Sequence, residues 1–344
     1  MPKAASRSAD VVDRVEQWAL QTAESRIPLV ACAVVTLAGV ALLVTAAVPA
    51  GPEWLGRAGS VTVATAYGWA LAARTGGRPF VFGLLALGLG LLAVLVGNDI
   101  LLTGAAVLTA AVAAVLGVMT TGPARTFPQA ARECLLALAV AAVGALATVG
   151  FEPTVRVARF EYAALALALV GALVVVYRLG AGLHGMGRRG LVVVVVGVVV
   201  LTLILFYAEL LRRYDSTGVV EALLDMVRWS REHLGAFPRP LEAVLGVPAL
   251  AYGCHMRARR RQGWWVCAFG VAATSSVATA LVNPRVELAE VGLSVLYGLV
   301  VGLVLAWVLI RLDLALTGTR GRRRRVAEQA AAVRPEPPRT APLL

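Results

Sequence analysis

The chain has 344 residues, of which 59% are hydrophobic and only 15% are charged, and its formal net charge is +12. So few charged side chains cannot coat a water-soluble globule of this size, which excludes a soluble enzyme or soluble binding domain as the main body. A nucleic-acid partner is not expected either, because the basic residues are divided among loops between apolar blocks and two polar tails.

Ten apolar blocks of 15 to 24 residues follow one another along the chain. A helix rises ~1.5 Å per residue, so ~20 apolar residues cross a hydrocarbon core ~30 Å thick. The sequence therefore predicts an all-α, polytopic transmembrane helix bundle of about ten spans within residues 27–310. Whether the shortest block is a full span stays open. The blocks are 27–50, 59–73, 80–97, 100–120, 134–150, 160–177, 191–211, 241–256, 263–282 and 291–310.

The distribution of basic residues predicts which side each loop faces. With both termini cytoplasmic, the inner segments hold 23 of the 32 basic residues, as the positive-inside rule requires. If block 59–73 did not cross the membrane, fewer basic residues would lie on the cytoplasmic side. The charge distribution therefore favours ten spans. Lys3 is the only lysine, and so strong a preference for arginine is typical of GC-rich codon usage. We expect a multi-pass protein of a bacterial plasma membrane.

Residues 1–26 form a cytoplasmic segment in which Val11, Val15 and Trp18 recur at helical spacing. This pattern is typical of an amphipathic helix lying in the headgroup region. The first block ends in Val48-Pro49-Ala50, which also resembles a signal-peptidase site. Because signal peptides have a shorter apolar core and a shorter, more basic leader, a retained anchor is favoured.

Arginines at the cytoplasmic face are expected to contact anionic lipid. Arg188 and Arg189 precede the seventh block. Beyond the tenth block, residues 311–344 contain Arg322, Arg323, Arg324 and Arg325 and then a Pro-rich stretch with too little apolar pattern to fold. The sequence therefore predicts a basic, then disordered, cytoplasmic tail.

The one long loop, residues 212–240, is predicted to lie outside and to contain an amphipathic helix. Its apolar stripe includes Val220, Leu224 and Val227, while charged residues face away. The helix either rests on the outer headgroups or covers a central cavity as a lid.

The ninth block carries a small, polar face formed by Ser275, Ser276, Thr279 and Asn283. Hydroxyl and amide groups cannot face lipid, so this face either packs closely against another helix or lines a pathway for a substrate or ion. In the tenth block, Gly298 and Gly302 form a GxxxG pair that permits close helix contact.

Several carboxylates lie at the outer ends of the predicted spans, and Glu209, beside Tyr207, is the most informative of them. An acid in the last turn of an apolar helix either carries a proton or cation or pairs with Arg212 or Arg213. The short block 241–256 has Pro248 at its middle, and broken spans mark binding sites in several transporters. The carboxylates are Asp99, Glu161, Glu209, Glu242 and Glu290.

No catalytic, cofactor or metal constellation is predicted, since Cys254, His255 and Cys267 match no standard zinc spacing. We expect a protein that is not an enzyme, namely a transporter or permease for a small solute or lipid-like compound. One alternative is a membrane enzyme or flippase acting on lipid-linked envelope precursors at the outer face; another is a non-catalytic assembly subunit. Membrane lipids are the expected partners, and oligomeric state stays open.

Overall fold

The computed structural model describes residues 27–48, 52, 54–154, 156–179, 183–213, 218–258, 263–330 and 336–343. Only the backbone is described for residues 183–190, 193, 211–213, 218–220, 223 and 316–330. All regular secondary structure in these ranges is helical, which confirms the all-α class. The predicted helix around Val15 and Trp18 lies outside the described residues.

Twelve α-helices and one π-helical turn make up the described part of the chain. They are α1 (Ile27–Ala46), α2 (Trp54–Arg74), α3 (Pro79–Val96), α4 (Asp99–Met119), α5 (Phe127–Gly150), α6 (Val157–Arg178), α7 (Leu183–Arg213), α8 (Gly218–Leu234), the π-helical turn (Leu241–Gly246), α9 (Val247–Arg257), α10 (Gly263–Ala268), α11 (Val271–Val282) and α12 (Leu288–Ala330).

Seven helical stretches are long and apolar enough to cross a membrane, which makes this a multi-pass membrane protein. They are α1, α3, α4, α5, α6, the α10–α11 pair and residues Leu288–Ala315 of α12. Three further segments are either too short or not apolar enough to meet both the length and the hydropathy criteria. Helix α2 has 21 residues but is less apolar, α7 contains the apolar stretch Val194–Leu210, and α9 has 11 residues after the 6-residue π-helical turn.

Some helices begin earlier than their apolar blocks because polar residues extend them. Thr126 and Gln129 form a capping box that starts α5 at Phe127. Helix α7 begins at Leu183, so Arg188 and Arg189 lie on a helix and not in a loop as predicted. Their lipid contacts stay a prediction, since only the backbone is described there.

Two predicted spans are interrupted. Pro248 lies at the first turn of α9, directly after the π-helical turn. Proline lacks an N–H and its ring clashes with the carbonyl four residues earlier, so a wider turn relieves the clash. The block 263–282 divides into α10 and α11 at Phe269 and Gly270. A Cβ on Gly270 would lie 2.8 Å from the Cys267 carbonyl oxygen, so this break requires glycine.

Two parts of the tail, residues 311–344, have described structure where the sequence predicts a basic and then disordered segment. Helix α12 continues to Ala330, and residues 336–343, which we name the strap, pack against the bundle. The strap is held by polar contacts that an apolar pattern does not reveal. Glu336 forms an ion pair with Arg257, and Arg339 forms one with Glu133. Side-chain contacts of Arg322 to Arg325 lie outside the described residues.

Helix α11 lies at the centre of the bundle, packed on α4, α5, α6 and the π-helical turn. The contacts are close because small residues line them. A Cβ on Gly117 of α4 would lie 2.8 Å from the Ala137 carbonyl oxygen of α5. The Thr274 hydroxyl of α11 donates to the Ala114 carbonyl oxygen of α4 at 3.0 Å.

Contacts between loops and helix termini define two ends of the bundle. At the tail end, the Arg74 side chain donates to the Met119 carbonyl oxygen at 2.9 Å, and the strap lies beside it. At the opposite end, which we name the π-turn end, Arg57 pairs with Glu152 at 2.9 Å. The C-terminal end of helix α8 also lies here, since the Tyr297 hydroxyl of α12 donates to the Leu234 carbonyl oxygen at 2.9 Å.

Candidate functional site: a buried carboxylate on a π-helical turn

The π-helical turn holds Glu242 in the protein interior. The residue is fully buried, and neither carboxyl oxygen has a hydrogen-bond partner among the described residues. Ser276 of α11 lies beside the carboxyl group, but its hydroxyl donates to the Ala273 carbonyl oxygen of its own helix at 2.8 Å. Buried polar groups are nearly always satisfied, so a carboxyl group without a protein partner marks a functional site, stored strain or a site for bound water or an ion.

Gly298 of α12 makes room for this carboxyl group. A Cβ at position 298 would lie 2.7 Å from the carboxyl carbon of Glu242 and 2.9 Å from Oε2. Four residues along α12, a Cβ on Gly302 would lie 2.6 Å from the Cβ of Val247. The GxxxG pair thus permits the predicted close contact, and its partner is the π-helical turn with the start of α9.

Arg239 lies close to Glu242 and interacts with carboxylates from other elements. These are Glu161 of α6 and Glu290 of α12. Arg231 of α8 also belongs to this cluster, with its Nε 3.2 Å from Oε1 of Glu290. Burial lowers the pKa of the Arg239 guanidinium, and the surrounding carboxylates oppose that shift.

Of the predicted pathway residues, Ser276 is the one that lies beside this site. Ser275, Ser276 and Thr279 are all buried on α11, and the Thr279 hydroxyl donates within the helix to the Ser275 carbonyl oxygen at 3.4 Å. Their burial fits the packing alternative better than an open pathway. Asn283 follows α11, and its Oδ1 accepts the Arg285 N–H at 3.2 Å.

Tyr207 and Glu209 lie half-buried on α7, which packs against α10 and the π-helical turn. Pairing of Glu209 with Arg212 or Arg213 involves side chains outside the described residues. Sequence reasoning ranked Glu209 above Glu242. The signal that favours Glu242 is Pro248 six residues later, which widens the turn carrying it.

A separate apolar groove of about 500 Å³ lies between α3 and α6, with α2 and α4 at its base. Its rims are half-exposed apolar side chains, so the groove opens toward the hydrocarbon of a bilayer. None of the predicted pathway residues lines it. Its lining includes Leu71, Leu85, Leu108, Leu167, Gly171 and Arg178.

At the tail end, Arg257 has a fully buried side chain with several partners. Its Nη2 lies 2.6 Å from Oε2 of Glu336, and its Nη1 donates to the Thr121 hydroxyl at 2.8 Å. The guanidinium also stacks on the ring of Trp264 at 3.4 Å from the centroid. The strap continues to Leu343, whose N–H donates to the Arg74 carbonyl oxygen at 2.8 Å.

Cys254 and Cys267 are buried neighbours on α9 and α10, and both are free thiols. Within the described ranges, no group of three or more His, Cys, Asp or Glu side chains is arranged to hold a metal ion. Comparison with protein-family models, curated proteins and solved structures finds no match. The residues themselves are therefore the basis for assigning a function.

Proposed function

We propose that the chain is a membrane carrier that couples movement of a small solute or lipid-like compound to proton binding at Glu242. We further propose ten crossings, with both termini cytoplasmic, in the plasma membrane of a bacterium. The observation that carries the proposal is the buried, unsatisfied carboxyl group on a π-helical turn. Ionisable groups inside membrane proteins commonly mark proton or ion pathways.

The ten crossings are supported by the contacts at the two ends of the bundle. Seven stretches meet the length and hydropathy criteria, and α2, α7 and the π-helical turn with α9 supply three more. Arg74, Thr121 and Arg257 all lie at the tail end. This is expected if an even number of segments crosses the membrane between each of these residues and the next. The positive-inside bias favours the tail end as the cytoplasmic one.

Two environments compete for Glu242, and that competition supports a proton-coupled role. The apolar surroundings favour the protonated form, because an ionised carboxylate is costly to bury without a hydrogen bond. Arg239 favours the ionised form, but it also interacts with Glu161 and Glu290, and Arg231 repels it. Movement of Arg239 toward Glu242 would therefore favour release of a proton from Glu242. Movement of Arg239 toward Glu161 or Glu290 would favour binding of a proton there.

The π-helical turn offers a place for such a change. A π-turn leaves a local irregularity in the backbone hydrogen bonds and is frequent at functional sites. Here it stands between the small-residue faces of α11 and α12. A small rotation of this turn would move the carboxyl group relative to Ser276 and Gly298.

Proton coupling is tested in proteoliposomes that contain a pH-sensitive dye. A panel of sugars, amino acids, organic cations and long-chain fatty acids is added outside, and internal pH is followed. We expect at least one compound to move protons with the unmodified protein and with Glu287→Gln, an exposed carboxylate near the same end. Glu242→Gln should abolish that response. Proton movement that persists in Glu242→Gln, or no response to any compound, would refute the proposal.

The proposed topology is tested with single cysteines and a membrane-impermeant maleimide in intact cells. Arg285→Cys is exposed at the π-turn end, and Arg125→Cys is exposed at the tail end. We expect labelling at position 285 only, and labelling at position 125 after the cells are opened. The reverse pattern would overturn the orientation, and labelling of both in intact cells would overturn the number of crossings between them.

A further inference from the structure

We propose that the α3–α6 groove binds a single-chain anionic amphiphile, such as a long-chain carboxylate, with its chain in the groove and its head group at the tail end. This rests on the proposed function in one respect: it names the class of lipid-like compound that the carrier would move. The groove is separate from Glu242 and from the strap.

The shape and lining of the groove select an apolar chain. Its walls are mostly aliphatic, and Gly171 of α6 leaves space open. A Cβ on Gly171 would meet only one methyl group, Cγ2 of Val115, at 3.3 Å. The groove is therefore open on the α6 side because position 171 has no side chain.

The length of the groove fits an extended chain. Its α6 wall runs from Leu167 to Arg178, which at ~1.5 Å per residue is about 17 Å. We therefore place one acyl chain along this wall, and competition by a two-chain lipid tests that assignment.

The charge at one end of the groove selects an anionic head group. Arg178 lines the groove at the tail end and is exposed, and its guanidinium group has no hydrogen bond or ion pair to any described residue. Arg78 follows the lining residue Gly77 and is likewise exposed, and its guanidinium group has no described partner. Two guanidinium groups without carboxylate partners match a carboxylate or phosphate, not a cation.

The head group would therefore lie at the membrane boundary while the chain extends along the α3 and α6 walls. Phe82 and Leu85 of α3 and Val174 of α6 are each about half-exposed, at 50%, 53% and 53%, so the chain can enter sideways from the bilayer. Burial of a chain here adds little hydrophobic energy over the bilayer itself, since lipid is equally apolar. The charged end must supply most of the selectivity.

Binding is measured with radiolabelled palmitate on the full-length protein in phosphatidylcholine nanodiscs, with empty nanodiscs subtracted. Competitors are unlabelled palmitate, hexadecyltrimethylammonium and dipalmitoyl phosphatidylglycerol incorporated in the disc. We expect one saturable site per protein that palmitate competes for at least about tenfold better than the cation of equal chain length, as a charge-assisted contact predicts. Equal competition by the cation, or better competition by the two-chain lipid, would overturn the proposed ligand class.

Two variants with matched controls locate the site. Gly171→Leu fills the groove and should weaken palmitate binding about tenfold or more, whereas Gly88→Leu, on α3 in open space, should not. Arg178→Gln combined with Arg78→Gln should cause a loss of about tenfold, whereas Arg311→Gln should not. Gly171→Leu can also reduce binding by impairing folding. The double variant Arg178→Gln with Arg78→Gln is therefore a sufficient test by itself. Unchanged binding in that pair would overturn the proposal.

The outcome is separable from that of the proton assay. Palmitate binding without proton movement would leave this site standing and refute the coupling at Glu242. Proton movement driven by another compound, without a saturable palmitate site, would refute this site alone.

Discussion

Replacement of Gly298 by alanine tests the contact on which the buried carboxylate depends. The added Cβ would lie 2.7 Å from the carboxyl carbon of Glu242, well inside van der Waals contact. Overpacking of this kind costs roughly 1–3 kcal/mol, which for a chain of this size lowers the apparent Tm by about 1–4 °C. Gly292→Ala is the matched control on α12, because nothing lies within 4 Å of its added Cβ.

The assay is thermal unfolding of purified protein in detergent at one scan rate for all variants. Gly292→Ala should be neutral or slightly stabilising, since alanine has the higher helix propensity by about 1 kcal/mol. Glu242→Ala combined with Gly298→Ala should be less destabilised than the sum of the two single variants, because removing the carboxyl group makes room for the methyl group. If Gly298→Ala is as harmless as Gly292→Ala, or if the two changes simply add, the described contact between α12 and the π-helical turn is wrong.

Three further predictions concern packing and charge. Glu336→Gln should cost about 2–4 kcal/mol and increase proteolysis of the strap, because it leaves the buried Arg257 charge without its partner. Glu152→Gln, in the exposed pair with Arg57, should cost less than about 1 kcal/mol; equal effects of the two would refute a buried strap contact. Gly246→Ala should greatly reduce the yield of folded protein, because its Cβ would overlap the backbone nitrogen of Ala273, whereas Gly88→Ala should express normally. Thr274→Ala should cost about 0.5–1 kcal/mol by removing an interhelical hydrogen bond to Ala114, and a larger loss in Thr62→Ala, whose hydroxyl bonds within its own helix, would contradict this.

The membrane helices could be predicted because their cause is local. A run of apolar residues of sufficient length has few alternatives to a spanning helix, and α1, α3, α4 and α6 begin and end within a few residues of their blocks. Helix α2 shows the limit of this reasoning. Trp54 to Arg74 forms 21 residues of helix, although only residues 59–73 form an apolar block, because arginine, here Arg57 and Arg74, continues a helix about as readily as leucine does.

The site was less accessible to sequence reasoning because it depends on contacts between distant residues. Glu242 is unusual only because Gly298, far along the chain, lets it approach α12. Glu209 stands out in the sequence because it lies within an apolar block beside Tyr207. The sequence does not show which helix packs against it. The strap was missed for the same reason, since its contacts join residue 336 to Arg257 and residue 339 to Glu133.

The strap has a consequence for the order in which the protein matures. Glu336 is synthesised after every helix that the strap contacts. The ion pair between Arg257 and Glu336 can therefore form only after residues 258–336 have been synthesised. Until then the Arg257 guanidinium has the Thr121 oxygens and the Trp264 ring as partners but no counterion. Closure of this end is thus a late event, and a nascent chain arrested before residue 336 would present a hydrated, accessible basic cleft that the finished protein hides.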